Sequence, residues 1–151
     1  MDGAFTVTVL TRRLDHPPAE LWRALTDATL LALWLAPGRI EAKAGGRVCL
    51  DFADSGTVID SAVTAVEAPR LVEFSWSRPG EPERPVRIEI APDGAGARLT
   101  LTLRVPGAED AGKACAGWEA HLEMLAAALA GAPIAFPFAT FRAAREAYKE
   151  R

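Results

Sequence analysis

The chain contains neither asparagine nor glutamine. A Cys–His–Asn protease is therefore excluded, as is an oxyanion hole built from a side-chain amide. Thirty alanines accompany the missing amides, which fits codon bias better than function. Cysteine and histidine are scarce: Cys49, Cys115, His16 and His121 are all there is. No Cys-x-x-Cys pair exists, so zinc ribbons and dithiol redox motifs are out. One disulfide is arithmetically available, but two cysteines in 151 residues do not make a secreted scaffold, and a reducing cytoplasm fits better. There is no His-x-x-x-His, no Asp-rich loop and no Glu-x-x-His, so no metal site is expected. Gly45-Gly46 is not followed by Lys-Ser/Thr and is no phosphate loop; no cofactor is expected. The longest apolar stretches, Leu30–Pro37 and Met124–Ala130, fall short of the roughly 18–20 residues a spanning helix needs. The start, Met1-Asp2-Gly3-Ala4, has no basic region before an apolar one, so no export segment and a cytoplasmic location are expected. With 17 Lys+Arg against 20 Asp+Glu, net −3, no basic stripe for nucleic acid is expected.

What is present is half apolar and a quarter charged, the balance of a folded soluble domain. Residues 4–14 alternate, Phe5, Val7 and Val9 against Thr6 and Thr8, which predicts a strand. Pro17-Pro18-Ala19-Glu20 then opens a short helix over 17–25, with proline and an acid in the first turn. Asp27 is placed to cap a second helix over 28–35, which Pro37-Gly38 ends. A run of strands follows, five of which carry a readable pattern. Val48, Leu50 and Phe52 alternate with charged neighbours, and Asp54-Ser55-Gly56 predicts a hairpin turn. Residues 57–67 carry Ile59, Val63 and Val66, a spacing that leaves their facing ambiguous. Val72, Phe74 and Trp76 alternate with Glu73, Ser75 and Ser77; Val86, Ile88 and Ile90 alternate with Arg87 and Glu89. The cleanest pattern is Leu99, Leu101, Leu103 and Val105 against Arg98, Thr100, Thr102 and Arg104. The short turns require an antiparallel sheet, with one dry and one wet face. Arg47, Asp51, Glu73, Arg87, Glu89, Arg98 and Arg104 are expected on the wet one.

Residues Asp110–Ala130 turn helical. At 100° per residue, Ala111, Ala114, Cys115, Leu122, Leu125 and Leu129 fall within about 60° of Trp118, with Lys113, Glu119 and Glu123 opposite. Such a helix is about 30 Å long, enough to cross five or more strands. The order is one strand, two short helices, six strands and one long helix, an α+β arrangement in which only the long helix is large enough to cover the dry face. A bent sheet around it leaves space between, and the two short helices would plug one end. Gly131 suits a helix stop. Beyond it, residues 132–137 cannot all be helical, whereas Phe138–Arg151 can.

The segment Arg13-Leu14-Asp15-His16-Pro17-Pro18-Ala19-Glu20-Leu21-Trp22-Arg23-Ala24-Leu25-Thr26-Asp27, with Trp34-Leu35-Ala36-Pro37 after it, resembles the opening of the START-like, or SRPBCC, superfamily. Within it the match is best to the activator of heat-shock protein 90 ATPase homologue-like group. Gly45-Gly46, Gly56-Thr57-Val58, Pro69-Arg70-Leu71-Val72 and Trp76 fit the middle; Gly117-Trp118, Leu122, Leu125, Leu129 and Gly131 fit the last helix. Ala36 stands where the group has Gly, and His16-Pro17 where it has Ala-Pro. The resemblance covers about residues 5–131. It implies a helix-grip fold: a bent antiparallel sheet wrapped around a long C-terminal helix, with an apolar cavity between them. Residues 1–131 are expected to form this domain and 132–151 an extension.

Trp34, Phe52, Phe74, Trp76, Leu101, Leu103, Trp118, Leu122 and Leu125 are the candidate ligand contacts on the dry faces. Each also suits plain core filling. His121, about 60° off the stripe centre at the cavity margin, is the one polar candidate, able to hydrogen-bond a ligand or accept a proton near pH 7. Cys115 and His121 diverge by about 120° around the helix and make no nucleophile–base pair. No catalytic residue is assigned. The expected function is a small-molecule binding protein holding a hydrophobic ligand. The alternatives are a polyketide cyclase/dehydratase-like enzyme using His121, or a co-chaperone-like domain with a chaperone partner. Phe136, Phe138 and Phe141 in the extension could pack on the parent domain, on a second copy in a homodimer, or over the cavity mouth.

Overall fold

A computed structural model describes residues 5–52 and 56–149. Asp54 and Ser55 of the expected hairpin turn, the opening residues 1–4 and the last two residues lie outside them.

The elements run β1 (Phe5–Leu14), α1 (Pro18–Thr26), α2 (Ala28–Trp34), β2 (Gly38–Ile40), β3 (Arg47–Phe52), β4 (Thr57–Glu67), β5 (Leu71–Ser75), β6 (Pro85–Asp93), β7 (Gly96–Pro106), α3 (Ala111–Leu129) and α4 (Phe138–Lys149). The seven strands form one antiparallel sheet in the order β1-β7-β6-β5-β4-β3-β2. Only the join of β1 to β7 brings distant sequence together; every other neighbour follows by a local turn or loop.

The helix starts follow their caps. Pro18 begins α1 with Glu20 in its first turn. The Asp27 carboxylate accepts from the backbone N–H of Thr29 and Leu30, starting α2. Asp110 does the same for α3 through Lys113 N–H, and this bond holds its carboxyl below the usual carboxylate range, with Arg145 adding to the effect. Gly131, at φ +80°, lets the chain leave α3 in a left-handed turn.

The alternation predicts most facings. Leu99, Leu101, Leu103 and Val105 of β7 are buried, as are Val86, Ile88 and Ile90 of β6. The charged residues expected on the wet face lie there, and Glu73 and Arg87 pair across β5 and β6 at 3.3 Å. In β4 the ambiguity has a cause: the register to β5 shifts between Val63 and Ala65, so Ile59 and Val63 are buried while Val66 is only half-buried. On β1 the inward set is Thr8, Leu10 and Leu14; Phe5, Val7 and Val9 face solvent.

Two expectations need correction. Ser75 and Ser77, assigned by alternation to the wet side, are buried, because the β5–β6 loop folds over them. Their hydroxyls lie 2.6 Å apart, and Ser75 accepts from Arg84 N–H at 2.9 Å. The back of α3 is also covered. Gly112, Ala116, Ala120 and Glu123 share one stripe opposite Trp118, and Ala116 and Ala120 are fully buried. The covering element is α4. Thr140 donates to Glu123, Arg145 pairs with Asp110 at 2.7 Å, and Tyr148 packs against Gly112 so closely that a Cβ there would meet the Tyr148 Cβ at 2.9 Å. Residues 132–149 therefore pack on their own domain. No helix of the described residues is long and apolar enough to cross a membrane.

Candidate functional site

The site grows from a junction at Trp34. This side chain closes α2 and is fully buried. Its indole N–H donates to the Ala24 carbonyl at 2.8 Å, satisfying an end of α1 that the helix itself leaves open. Its own carbonyl lies 2.9 Å from His121 Nδ1 on α3. Because a carbonyl can only accept, Nδ1 carries the proton. Neutral His121 therefore keeps Nε2 as a bare acceptor. Nε2 has no partner among the described residues and is not sealed from solvent. Burial holds the His121 pKa below its ordinary value, against the opposing effect of the Trp34 carbonyl. At neutral pH the ring is uncharged.

Around this imidazole lie rings from three parts of the chain. Phe52, at the end of β3, is 5.8 Å from it, and Trp118, one turn earlier on α3, is 6.0 Å away. Trp76, just past β5, closes the group, 4.9 Å from Trp118 and 5.6 Å from Phe52. All four contacts are edge-on, the preferred geometry for quadrupolar rings. A fifth ring, Phe136 of the extension, also meets His121 edge-on at 5.4 Å.

Trp76 also forms a wall of a cleft of about 320 Å³ opening between the start of β4 and the β5–β6 loop. Val58, Ile59, Arg78, Glu81 and Arg84 are among its other walls. Arg84 fixes this rim. It grips Glu109 with two bonds of 2.7 and 2.8 Å and donates to the Trp76 carbonyl at 3.2 Å. The fork raises the Arg84 pKa and holds Glu109 below the usual carboxylate range.

The candidate residues thus divide. Phe52, Trp76, Trp118 and His121 come together as one ring cluster. Phe74 joins it behind Trp76 at 6.3 Å. Trp34, Leu101, Leu103, Leu122 and Leu125 sit in the same apolar core, each no more than 4% exposed. Cys115 is buried, its thiol donating to Thr8 Oγ1 at 3.2 Å, and both cysteines are free. His16 is half-buried and faces Glu20 at 3.0 Å. Among the described residues no cluster of His, Cys, Asp or Glu could hold a metal.

Sequence reasoning missed the Arg84–Glu109 fork and leaves Phe136 open between the parent domain, a second copy and the cavity mouth, because no local pattern ties it to His121. The Arg84–Glu109 fork spans 25 positions; its only signal was an arginine in a loop otherwise rich in proline and glutamate.

Four likenesses to known proteins bear on this geometry. The family profile described as Activator of Hsp90 ATPase homolog 1-like protein matches residues 15–130. The crystal structure of CalU16 from Micromonospora echinospora is 23% identical with a TM-score of 0.81, over 97% of this chain and 88% of that one, a likeness of fold. The solution structure of the BPP1335 protein from Bordetella parapertussis is 28% identical with a TM-score of 0.78, over 100% and 88%, so its match includes the C-terminal extension. DynU16, from the dynemicin biosynthetic locus, is 28% identical with a TM-score of 0.72, over 84% of this chain and 48% of that one. No curated protein matches the sequence.

Proposed function

The chain belongs to the Activator of Hsp90 ATPase homolog 1-like family, and from that premise we propose that it is a binding protein for a hydrophobic, ring-bearing small molecule. One observation carries this reading. His121 is locked in a single neutral tautomer in the middle of an aromatic cluster, with one nitrogen bonded to backbone and the other bare. That is an apolar wall with one oriented acceptor, the composition of a small-molecule site. A ligand hydroxyl would donate to Nε2 while its rings lie against Phe52, Trp76 and Trp118. Phe74, Leu101, Leu103, Leu122 and Leu125 would form the floor. DynU16's origin in a biosynthetic locus supports a small biosynthetic molecule as the ligand class, and the rings around His121 favour a ring-bearing one. The two free cysteines fit a reducing compartment such as the cytoplasm.

The cyclase/dehydratase-like alternative would use Nε2 as a base. Acid–base chemistry of that kind works best with a second titratable group, and among the described residues the only hydrogen-bond partner of His121 is a carbonyl. Binding is therefore the better-supported role. The family's description favours one other reading, a chaperone-stimulating domain, which needs a partner surface rather than a pocket.

The test is native mass spectrometry of freshly purified protein, followed by denaturing extraction. A discrete small molecule at one per chain supports binding. Failure to retain or take up any aromatic ligand, together with stimulation of an Hsp90 ATPase, would replace this reading with the chaperone one.

A further inference from the structure

We propose that Phe136 is the removable wall of the ligand site, and that residues 132–149 form a strap that must lift at this point for ligand to enter. The inference rests on the binding reading above.

Three observations carry it. First, the strap is held unevenly. Its α4 part is pinned by the Thr140–Glu123 bond, by the Arg145–Asp110 pair and by Tyr148 against Gly112. Residues 133–137 make no backbone hydrogen bond to the domain among the described residues; the bonds at Phe136 and Pro137 stay within the strap. Second, what fastens this loose half at the site is ring contact. Phe136 meets His121 at 5.4 Å, while Phe138 and Phe141 pack on Phe136 itself at 4.8 and 5.9 Å. Phe138 remains 62% exposed, so this cluster is only half closed. Third, the strap starts at Gly131, whose left-handed backbone absorbs a change of direction. A segment with few buried contacts, no backbone ladder and a glycine hinge belongs to the low-stability end of a fold, where lids are found. The residue it presses on is the one bearing the free ring nitrogen. Lifting Phe136 uncovers His121 without disturbing Trp34 or the core.

The probe is 1-anilinonaphthalene-8-sulfonate, followed in stopped flow by energy transfer from tryptophan. Phe136→Ala should speed its association about tenfold, the factor for releasing one aromatic edge contact. Gly112→Ala, which pushes on Tyr148 from the opposite end, should speed it less. In the unaltered protein, saturating probe should accelerate thermolysin cleavage before Ile134, Phe136 or Phe138, which needs no variant to fold. If the probe binds but neither its rate in the folded Phe136→Ala protein nor the cleavage changes, the strap proposal is wrong and the binding reading stands. If no variant binds probe at all, the binding reading falls, and the strap with it.

Discussion

Replacing Trp34 by phenylalanine tests whether one side chain joins α1, α2 and α3. Trp34 is 1% exposed, and phenylalanine retains most of its buried apolar area. Two things are lost. The smaller ring forfeits roughly 1 kcal/mol of burial. The Ala24 carbonyl loses its indole donor in a buried setting, which costs about 1–3 kcal/mol. The sum is about 2–4 kcal/mol, or about 4–16 °C in Tm for a chain of this size. Urea unfolding followed by far-ultraviolet circular dichroism reads the difference as a lower midpoint at unchanged slope. Ligand affinity should change by no more than about twofold, because His121 bonds to the backbone carbonyl of residue 34, which phenylalanine supplies equally. A loss below about 0.5 kcal/mol would refute the reasoning, since it would mean that the Ala24 carbonyl does not depend on the indole.

Acidification should weaken the fold through His121. Its folded pKa lies below the ordinary value, so between the two values the unfolded chain binds the extra proton and stability falls as pH falls. The slope is at most about 1.4 kcal/mol per pH unit for one proton, and it should vanish in His121→Phe when denaturation midpoints are compared across pH 5–8. Glu109→Gln should cost about 1 kcal/mol and loosen the Trp76 rim, read by denaturation and by Trp76 fluorescence. The Glu109 carboxyl has a lowered folded pKa, so the fork's contribution is full above the ordinary carboxylate range and fades as pH falls through it; the glutamine variant should lack that acid-side slope.

How much of this was legible in sequence depended on how local the cause was. Alternation in β7 gave its buried face directly, because period two fixes facing wherever one side is dry. Asp27 and Gly131 gave helix limits, because a cap is a contact within one turn. The three-residue β2 was invisible by comparison. Gly38-Arg39-Ile40 has no pattern of its own and is a strand only because it pairs with Cys49 and its neighbours. The burial of Ser75 and Ser77 depends on a loop folding back, and that of Ala116 and Ala120 on α4 arriving from the far end of the chain. A helical wheel shows which side of α3 is greasiest but not that a second element covers the other. Within the candidate site, Phe52, Trp76, Trp118 and His121 are candidates by their faces alone, and the structure brings them together; placing Phe136 takes the tertiary path of the extension.

The central claim is that a ligand sits among the rings around His121. The most direct measurement follows the indole N–H resonances of Trp22, Trp34, Trp76 and Trp118 in nitrogen-15-labelled protein as 1-anilinonaphthalene-8-sulfonate is added. The account predicts that Trp76 and Trp118 shift to saturation while Trp34, engaged with Ala24, stays in place. Static Trp76 and Trp118 indole signals, with backbone amide shifts in the same spectra confined to the exposed apolar edge at Phe5, Val7 and Val9, would contradict it.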